Sequence, residues 1–224
     1  MNKKSIVVYD HKNIPDSKAL EDLKVLFLVG CTGLIDVSPF RNLHRLELSK
    51  CHEVKDVSSL GRVHTLGLEW CNGVTDVSAL GGVHSLSLRG CSGVSDVSAL
   101  GSVHFLDLSE CIGVTDVSSL GRVHILYLWR CTGVTNVSML NNIHTLSLVG
   151  CSNANDVSGL SSVKVLFLPE TKKLTTVIME NAAVVDKVAI ARAPSEAQEK
   201  GKKKKCKRGK RGGKRKKKSD KKNC

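Results

Sequence analysis

Residues 63–82, VHTLGLEWCNGVTDVSALGG, are written again with few changes along most of the chain. The blocks VHSLSLRGCSGVSDVSALGS, VHFLDLSECIGVTDVSSLGR and VHILYLWRCTGVTNVSMLNN follow with neither insertion nor deletion. A fixed period of twenty residues admits few folds. One copy is too short to bury a core alone, so stability has to come from stacking neighbours into a solenoid.

Counted from Val63 as position 1, apolar residues hold positions 1, 4, 6, 9, 12, 15 and 18: Val63, Leu66, Leu68, Cys71, Val74, Val77 and Leu80. Positions 4 and 6 have the spacing of a strand with one buried face. Positions 9 to 18 recur every three residues, the period of a 3₁₀ turn or a tight extended coil. Residues 74–80 leave no room for an ordinary helix of about three turns. Each repeat therefore reads as one short strand and a compact return arm.

Seven regular copies begin at Leu23, Leu43, Val63, Val83, Val103, Val123 and Ile143. Residues 3–22 form a degenerate first copy, with Ile6, Val8, Ile14 and Leu20 at positions 4, 6, 12 and 18 and with Lys3 and His11 in apolar slots. A ninth copy starts at Val163 and decays, with Thr171 in the cysteine slot and Glu180 in a leucine slot. Val185, Val188 and Ile190 then repeat the 1, 4, 6 spacing two residues late, as for a last strand or short cap. Polar outer rungs are what the ends of a solenoid require.

The pattern L-x-x-L-x-L-x-x-C-x-x-V resembles the leucine-rich repeat, with cysteine at position 9 in place of the usual asparagine. V-T-D-V-S-A-L looks like the short repeats of internalins, and C-x-x-V-T-D like the cysteine-containing class of F-box adaptors and protist proteins. This repeat is shorter than those families' usual units. The resemblance covers roughly residues 3 to 190. It implies an α/β-type repeat solenoid, a right-handed leucine-rich-repeat horseshoe of about nine repeats. One parallel β-sheet would form its concave face, and short 3₁₀ or extended arms would return. On function a fold resemblance of this kind is nearly silent.

Three further slots repeat. Gly33, Gly73, Gly93, Gly113 and Gly133 at position 11 suit a turn needing positive φ. Asp at position 14 (Asp36, Asp56, Asp76, Asp96, Asp116, Asp156, with Asn136 once) and Ser at position 16 can bond backbone N–H groups of the return arm. His44, His64, His84, His104, His124 and His144 hold position 2. Six imidazoles at strand spacing read as a structural ladder, with metal binding or pH sensing as the other readings.

Seven of nine cysteines, Cys31, Cys51, Cys71, Cys91, Cys111, Cys131 and Cys151, share position 9 and read as an inward ridge of small hydrophobes. Rungs about 4.8 Å apart raise the rival idea of disulfides, but parallel Cβ vectors oppose bridging. Twenty-residue spacing lacks the paired C-x-x-C of zinc sites. Structural thiols imply a reducing compartment, and no metal or cofactor is expected. The opening MNKKSIVVYDHKN holds an apolar run of four residues, too short for a signal peptide, and no span approaches membrane length. The expectation is an intracellular protein of nucleus or cytoplasm, monomeric, with membrane attachment disfavoured.

Charge divides the chain into an expected solenoid, residues 1–192, and a basic tail, residues 193–224. Residues 200–224 carry sixteen Lys and Arg against Asp220 alone, a balance of +15, while residues 1–199 balance to −2. Lys202, Lys203, Lys204, Lys205, Lys207 and Arg208 form one basic cluster, and Lys214, Arg215, Lys216, Lys217 and Lys218 a second. Almost without apolar residues, the tail is expected to be disordered. Its clusters read as polyanion contacts of nuclear-localisation or nucleic-acid type, with a lipid surface or mere solubility as alternatives.

Aspartate, serine and histidine recur in every regular repeat, so a triad such as Asp76, Ser78 and His84 is conceivable. An active site is one constellation made different from its surroundings, whereas a motif stamped many times is scaffolding. No enzyme is expected. The informative slots are positions 3, 5, 7 and 8, facing outward from the strands. They hold seven of the eight aromatics: Tyr9, Phe27, Trp70, Phe105, Tyr127, Trp129 and Phe167. Trp70, Phe105, Asp107, Ile125, Tyr127, Trp129 and Arg130 are the candidate contacts for a protein partner, since grouped exposed aromatics mark binding faces. The plainer reading is that aromatics favour strands. Glu69 with Arg89, and Glu110 with Arg130, are expected as cross-strand pairs on that surface. A protein-binding module with a nuclear or polyanion-tethering tail is the reading; the alternative is a nucleic-acid-binding protein whose solenoid is scaffold.

Overall fold

A computed structural model describes residues 4–9, 12, 14 and 20–168, together with the backbone of residues 183 and 184. The chain divides into two units, Met1–Val188 and Ala189–Cys224, and the basic clusters at 202–218 lie in the second, outside the described residues. Lys3, His11, Thr171, Glu180, Val185, Val188 and Ile190 also lie outside them.

The strands are β1 (Lys4–Val8), β2 (Leu23–Val29), β3 (Arg45–Ser49), β4 (Thr65–Gly67), β5 (Ser85–Ser87), β6 (Phe105–Asp107), β7 (Ile125–Tyr127), β8 (Thr145–Ser147), β9 (Val165–Phe167) and β10 (Ala183–Val184). They form one parallel sheet in sequence order. Register follows the repeat: Leu66 opposes Leu86, Leu106 opposes Leu126, and the degenerate first copy aligns Ile6 with Leu26 and Val8 with Leu28. At the other end Ala183 and Val184 oppose Val165 and Leu166, so Val184 takes the position 4 partner that spacing assigns to Val188.

All seven apolar slots point inward. Val63, Leu66, Leu68, Cys71, Val74, Val77 and Leu80 are each at most 2% exposed, and the same slots are buried in the neighbouring copies. Behind the sheet the chain returns through 3₁₀ turns such as Ser78–Gly82 and Ser118–Leu120. The three-residue apolar spacing has a hydrogen-bond cause. Cys71 N–H donates to Leu68 C=O (3.1 Å), Val74 to Cys71 (3.1 Å), Leu80 to Val77 (2.9 Å) and Val83 to Leu80 (3.0 Å). The residues at positions 9, 12, 18 and the next position 1 thus each close a tight turn on the inward residue three before them. Asp76 Oδ1 accepts the Ser78 N–H at 2.8 Å, and the same bond recurs from Asp36 to Asp156 with Asn136 standing in once. These side chains satisfy the donor that opens each 3₁₀ turn.

The cysteine ridge is a ladder of donors. Cys71 Sγ lies 2.9 Å from Leu48 C=O, Cys91 2.9 Å from Leu68 C=O, Cys131 2.9 Å from Leu108 C=O and Cys151 2.8 Å from Leu128 C=O. Each thiol therefore donates to the position 6 carbonyl of the rung before it. All seven are buried. Burial pushes the thiols up, to about 11 at Cys51 and about 12 at Cys91 and Cys131, which suppresses the reactive thiolate.

Two slots differ from the reading of the sequence. Of the five position 11 glycines, only Gly33 has positive φ, +80°. At Gly73 an added Cβ would lie 2.5 Å from His52 C=O and 2.6 Å from Val54 C=O, and at Gly113 2.8 Å from Val94 C=O. At these glycines the preceding rung approaches too closely for a side chain, while Glu53 and Asn153 occupy the same slot in two other copies. The left-handed residue is instead at position 8: Lys50 (+58°), Trp70 (+59°), Glu110 (+62°) and Arg130 (+57°), with Gly30, Gly90 and Gly150 in the same slot. The i to i+3 bond from Leu68 C=O to Cys71 N–H makes this a turn with positive φ at its third residue, as in a type II turn.

Candidate functional site

The outward face of the sheet carries the candidate contacts, and their side chains cover one another. Phe105 at position 3 meets Tyr127 at position 5 of the next rung edge-on, with ring centroids 5.5 Å apart and planes at 82°. The Arg89 guanidinium carbon lies 5.2 Å from the Trp129 ring centroid, and that of Arg130 lies 4.4 Å from it. Arg89, Ser109 and Trp129 occupy position 7 of three successive rungs, so Arg89 reaches past the small Ser109 to stack on the indole. Ser109 and Asp107 are consequently 5% and 4% exposed, the buried polar residues of the described chain. Ile125 is partly exposed beside Phe105, its strand neighbour on the adjacent rung. Trp70 is half-buried, and its ring lies over Gly90, where an added Cβ would be 2.5 Å from ring carbons.

The ion pair at the centre of the face is diagonal rather than between equal positions of neighbouring rungs. Arg89 Nη2 and Nε donate to Glu110 Oε1 at 3.1 and 3.3 Å. The expected pairs Glu69 with Arg89 and Glu110 with Arg130 are replaced by this one. The left-handed backbone at Glu110 accompanies a carboxylate reaching back to the preceding rung, while the Arg130 guanidinium stacks on Trp129. Further along, Arg45 pairs with Glu47 of its own strand at 2.9 Å and stacks 5.4 Å from the Phe27 centroid. Burial pushes the Glu47 and Glu69 carboxyls up, Glu69 further under the influence of Asp107. Asp107 is raised by burial despite its bond from Ser109, and Tyr127 is raised by burial and then by Asp107.

Beside this face, the position 8 ridge opens into a groove of roughly 590 Å³ lined among others by Trp70, Gly90, Glu110, Ile112, Arg130 and Gly150. A non-glycine residue held left-handed costs on the order of 1–2 kcal/mol, and such strain gathers at functional positions. Three of the four strained residues, Trp70, Glu110 and Arg130, line this groove. Arg89, absent from the candidate contacts drawn from sequence, ties them to Trp129. Its signal in the sequence is a long cation two rungs from an indole with serine between.

The histidines do form a ladder. Adjacent rings from His44 to His144 stack with centroids 4.6–4.8 Å apart and planes within 29°. An ion shared by two imidazoles at about 2.0–2.1 Å each needs nitrogens no more than roughly 4.2 Å apart. Parallel rings at ladder spacing miss that distance, and among the described residues no group of three His, Cys, Asp or Glu could hold a metal ion. Asp76, Ser78 and His84 do not converge: Asp76 bonds the Ser78 backbone and His84 stacks between His64 and His104. Among the described residues no helix is long and apolar enough to cross a membrane.

The ladder carries a pH dependence. His64 and His104 are shifted down, by burial first and then by neighbouring imidazoles, so the fold favours their neutral form. The unfolded chain then binds more protons below about pH 6.5, and stability falls as pH drops through that range toward the lowered folded values. Because the rings are exposed, the effect is small and salt-screened. The expected result is that the advantage of the wild type over a His64→Gln, His104→Gln variant in melting temperature shrinks from pH 7.5 to 5.5. A constant difference would remove the protonation account.

A single parallel sheet, one strand per twenty residues, 3₁₀ return arms and a fully apolar interior define a leucine-rich-repeat solenoid. No protein-family model matches the sequence, and comparison with curated proteins gives no match. Among solved structures, internalin C2 of Listeria monocytogenes is similar at 16% identity, covering 80% of this chain and 76% of that one with a TM-score of 0.41. The functional domain of InlJ from the same organism, described as including a cysteine ladder, is 16% identical over 72% of this chain and 49% of that one, TM-score 0.38. The leucine-rich-repeat protein LIC12759 of Leptospira interrogans is 15% identical over 81% and 47%, TM-score 0.40.

Proposed function

We propose that the chain is a non-enzymatic recognition module that holds a protein partner on the outward face of its sheet, centred on β6 and β7. The observation that carries this is the packed group Phe105, Ile125, Tyr127, Trp129 and Arg130, flanked by Trp70 on a strained turn. Partly exposed aromatics and arginine concentrated at the middle of one face have the composition of an interface hot spot. Asp107 lies beneath this surface rather than on it. The tail from residue 193 acts separately in this reading, as a polyanion or nuclear-targeting contact, and its support is the +15 balance of residues 200–224. The nucleic-acid alternative rests on the same charge run.

Tyr127→Ala with Trp129→Ala is the test of the face. The double variant should keep a cooperative melt, because neither side chain belongs to the inward slots. Its partner capture should weaken by about 2 kcal/mol, roughly thirtyfold. The measurement compares proteins retained by immobilised full-length wild type and variant. Equal retention would remove the proposed face.

A further inference from the structure

We infer that Asp107 is the floor of a socket for one cationic side chain, an arginine or lysine presented by the protein partner; this rests on the face proposed above. Position 5 is Gly67, Ser87, Tyr127 and Ser147 in the neighbouring rungs, and the column's other carboxylate, Glu47, has Arg45 paired with it at 2.9 Å. It is 4% exposed, more deeply buried than any other charged residue described. It accepts from Ser109, whose N–H lies 2.9 Å from Oδ1 and whose side-chain hydroxyl also bonds it. A buried carboxylate ordinarily has a cation against it, because leaving one unpaired is costly. Here the nearest cation, Arg89, attracts Asp107 without forming an ion pair with it, because its guanidinium pairs with Glu110 and stacks on Trp129.

The surroundings complete the case. Three carboxylates, Glu69, Asp107 and Glu110, meet two guanidiniums here, Arg89 among them and Arg130 stacked on Trp129, and each of Glu69 and Glu110 acts on Asp107 or is acted on by it. The centre of the face therefore holds an excess of negative charge. Phe105 and Tyr127 stand edge to face beside it, aromatic walls of the kind that cations favour. A carboxylate with one oxygen bonded to backbone, aromatic walls and no ion pair among the described residues is complementary to a guanidinium or ammonium group.

The experiment uses full-length chain labelled so that the Asp107 side-chain carbonyl carbon is read by NMR, with the resonance assigned by through-bond correlation to the Asp107 backbone. The probes are N-acetyl-arginine amide and its neutral isostere N-acetyl-citrulline amide. The expected result is a saturable shift with the arginine probe, at least tenfold weaker with citrulline. Shifts at the Trp129 indole N–H should follow the same curve and vanish in Asp107→Asn. No saturable shift up to the probe's solubility, equal response to both probes, or an unchanged indole titration in Asp107→Asn would each overturn the socket. The wild-type comparison of the two probes needs no variant, so misfolding of Asp107→Asn cannot obscure it. If partner capture is lost in the Tyr127→Ala, Trp129→Ala chain but kept in Asp107→Asn, the face stands and the socket falls. If the double variant captures partner normally while the arginine probe still titrates Asp107, the face falls and the cation site stands without it.

Discussion

Gly73→Ala is expected to cost about 3 kcal/mol of unfolding free energy, on the order of a hundredfold in the ratio of folded to unfolded chain. The added methyl would meet two backbone carbonyl oxygens of the preceding rung, His52 at 2.5 Å and Val54 at 2.6 Å. Neither can rotate aside as a side chain would. Relief requires two rungs to separate, which strains the ladder bonds and the packing of the apolar slots behind them. The companion variant Lys50→Gly should do the reverse. Lys50 sits at φ +58°, where glycine has no Cβ penalty, and its gain is limited to about 1 kcal/mol because glycine also raises the entropy of the unfolded chain. Urea denaturation of both variants checks the pair. A Gly73→Ala chain as stable as wild type, or a Lys50→Gly chain clearly less stable, would mean that the roles of positions 8 and 11 have been exchanged.

Binding of the full-length chain to duplex DNA should weaken by at least a thousandfold between 50 and 200 mM salt if about six tail cations engage phosphate. The sixteen Lys and Arg of residues 200–224 contain no aromatic neighbour to stack on bases, and lysine meets phosphate as a point charge. Affinity should then come from counterion release, with a log–log slope near −0.9 for each phosphate neutralised and little preference between sequences. Lys214→Gln with Lys216→Gln, Lys217→Gln and Lys218→Gln should flatten that slope by about 0.9 for each contact removed. A salt titration on two unrelated duplexes measures both quantities. Should the quadruple variant keep the wild-type slope, the 214–218 cluster is not the contact. Should a chain ending at residue 192 bind as well as the full chain, or one duplex win by a large factor, the solenoid is reading nucleic acid and the tail is not.

These two experiments probe different kinds of information in the chain. The inward slots were legible in the sequence because a strand with one buried face and a turn closing every three residues leave visible periods, repeated until they are unambiguous. Val63 through Leu80 all lie where that pattern put them, and even the degenerate first copy places Ile6 and Val8 opposite Leu26 and Leu28. The aromatics on the outward positions were legible for the same reason, since alternation along a strand assigns a face without reference to neighbours.

What sequence could not decide depends on groups about twenty residues apart meeting in space. Gly73, Gly93, Gly113 and Gly133 face the carbonyls of the previous rung, a distance that no local φ preference encodes. Position 8 is left-handed even with Trp70 or Arg130 in it, because the turn must return the chain to the cysteine slot and the rung-to-rung bond from Trp70 N–H to Arg89 C=O holds it there. Arg89 chose Glu110 and Trp129 over Glu69 because its side chain is longer than the rung spacing and the intervening Ser109 is small. That choice buried Asp107 without an ion pair among the described residues. By itself, then, the sequence determined the core, the register and the outward face, all consequences of local periodicity; the tertiary structure decided which outward side chains cover one another, because long side chains select partners by three-dimensional reach rather than by position in the repeat.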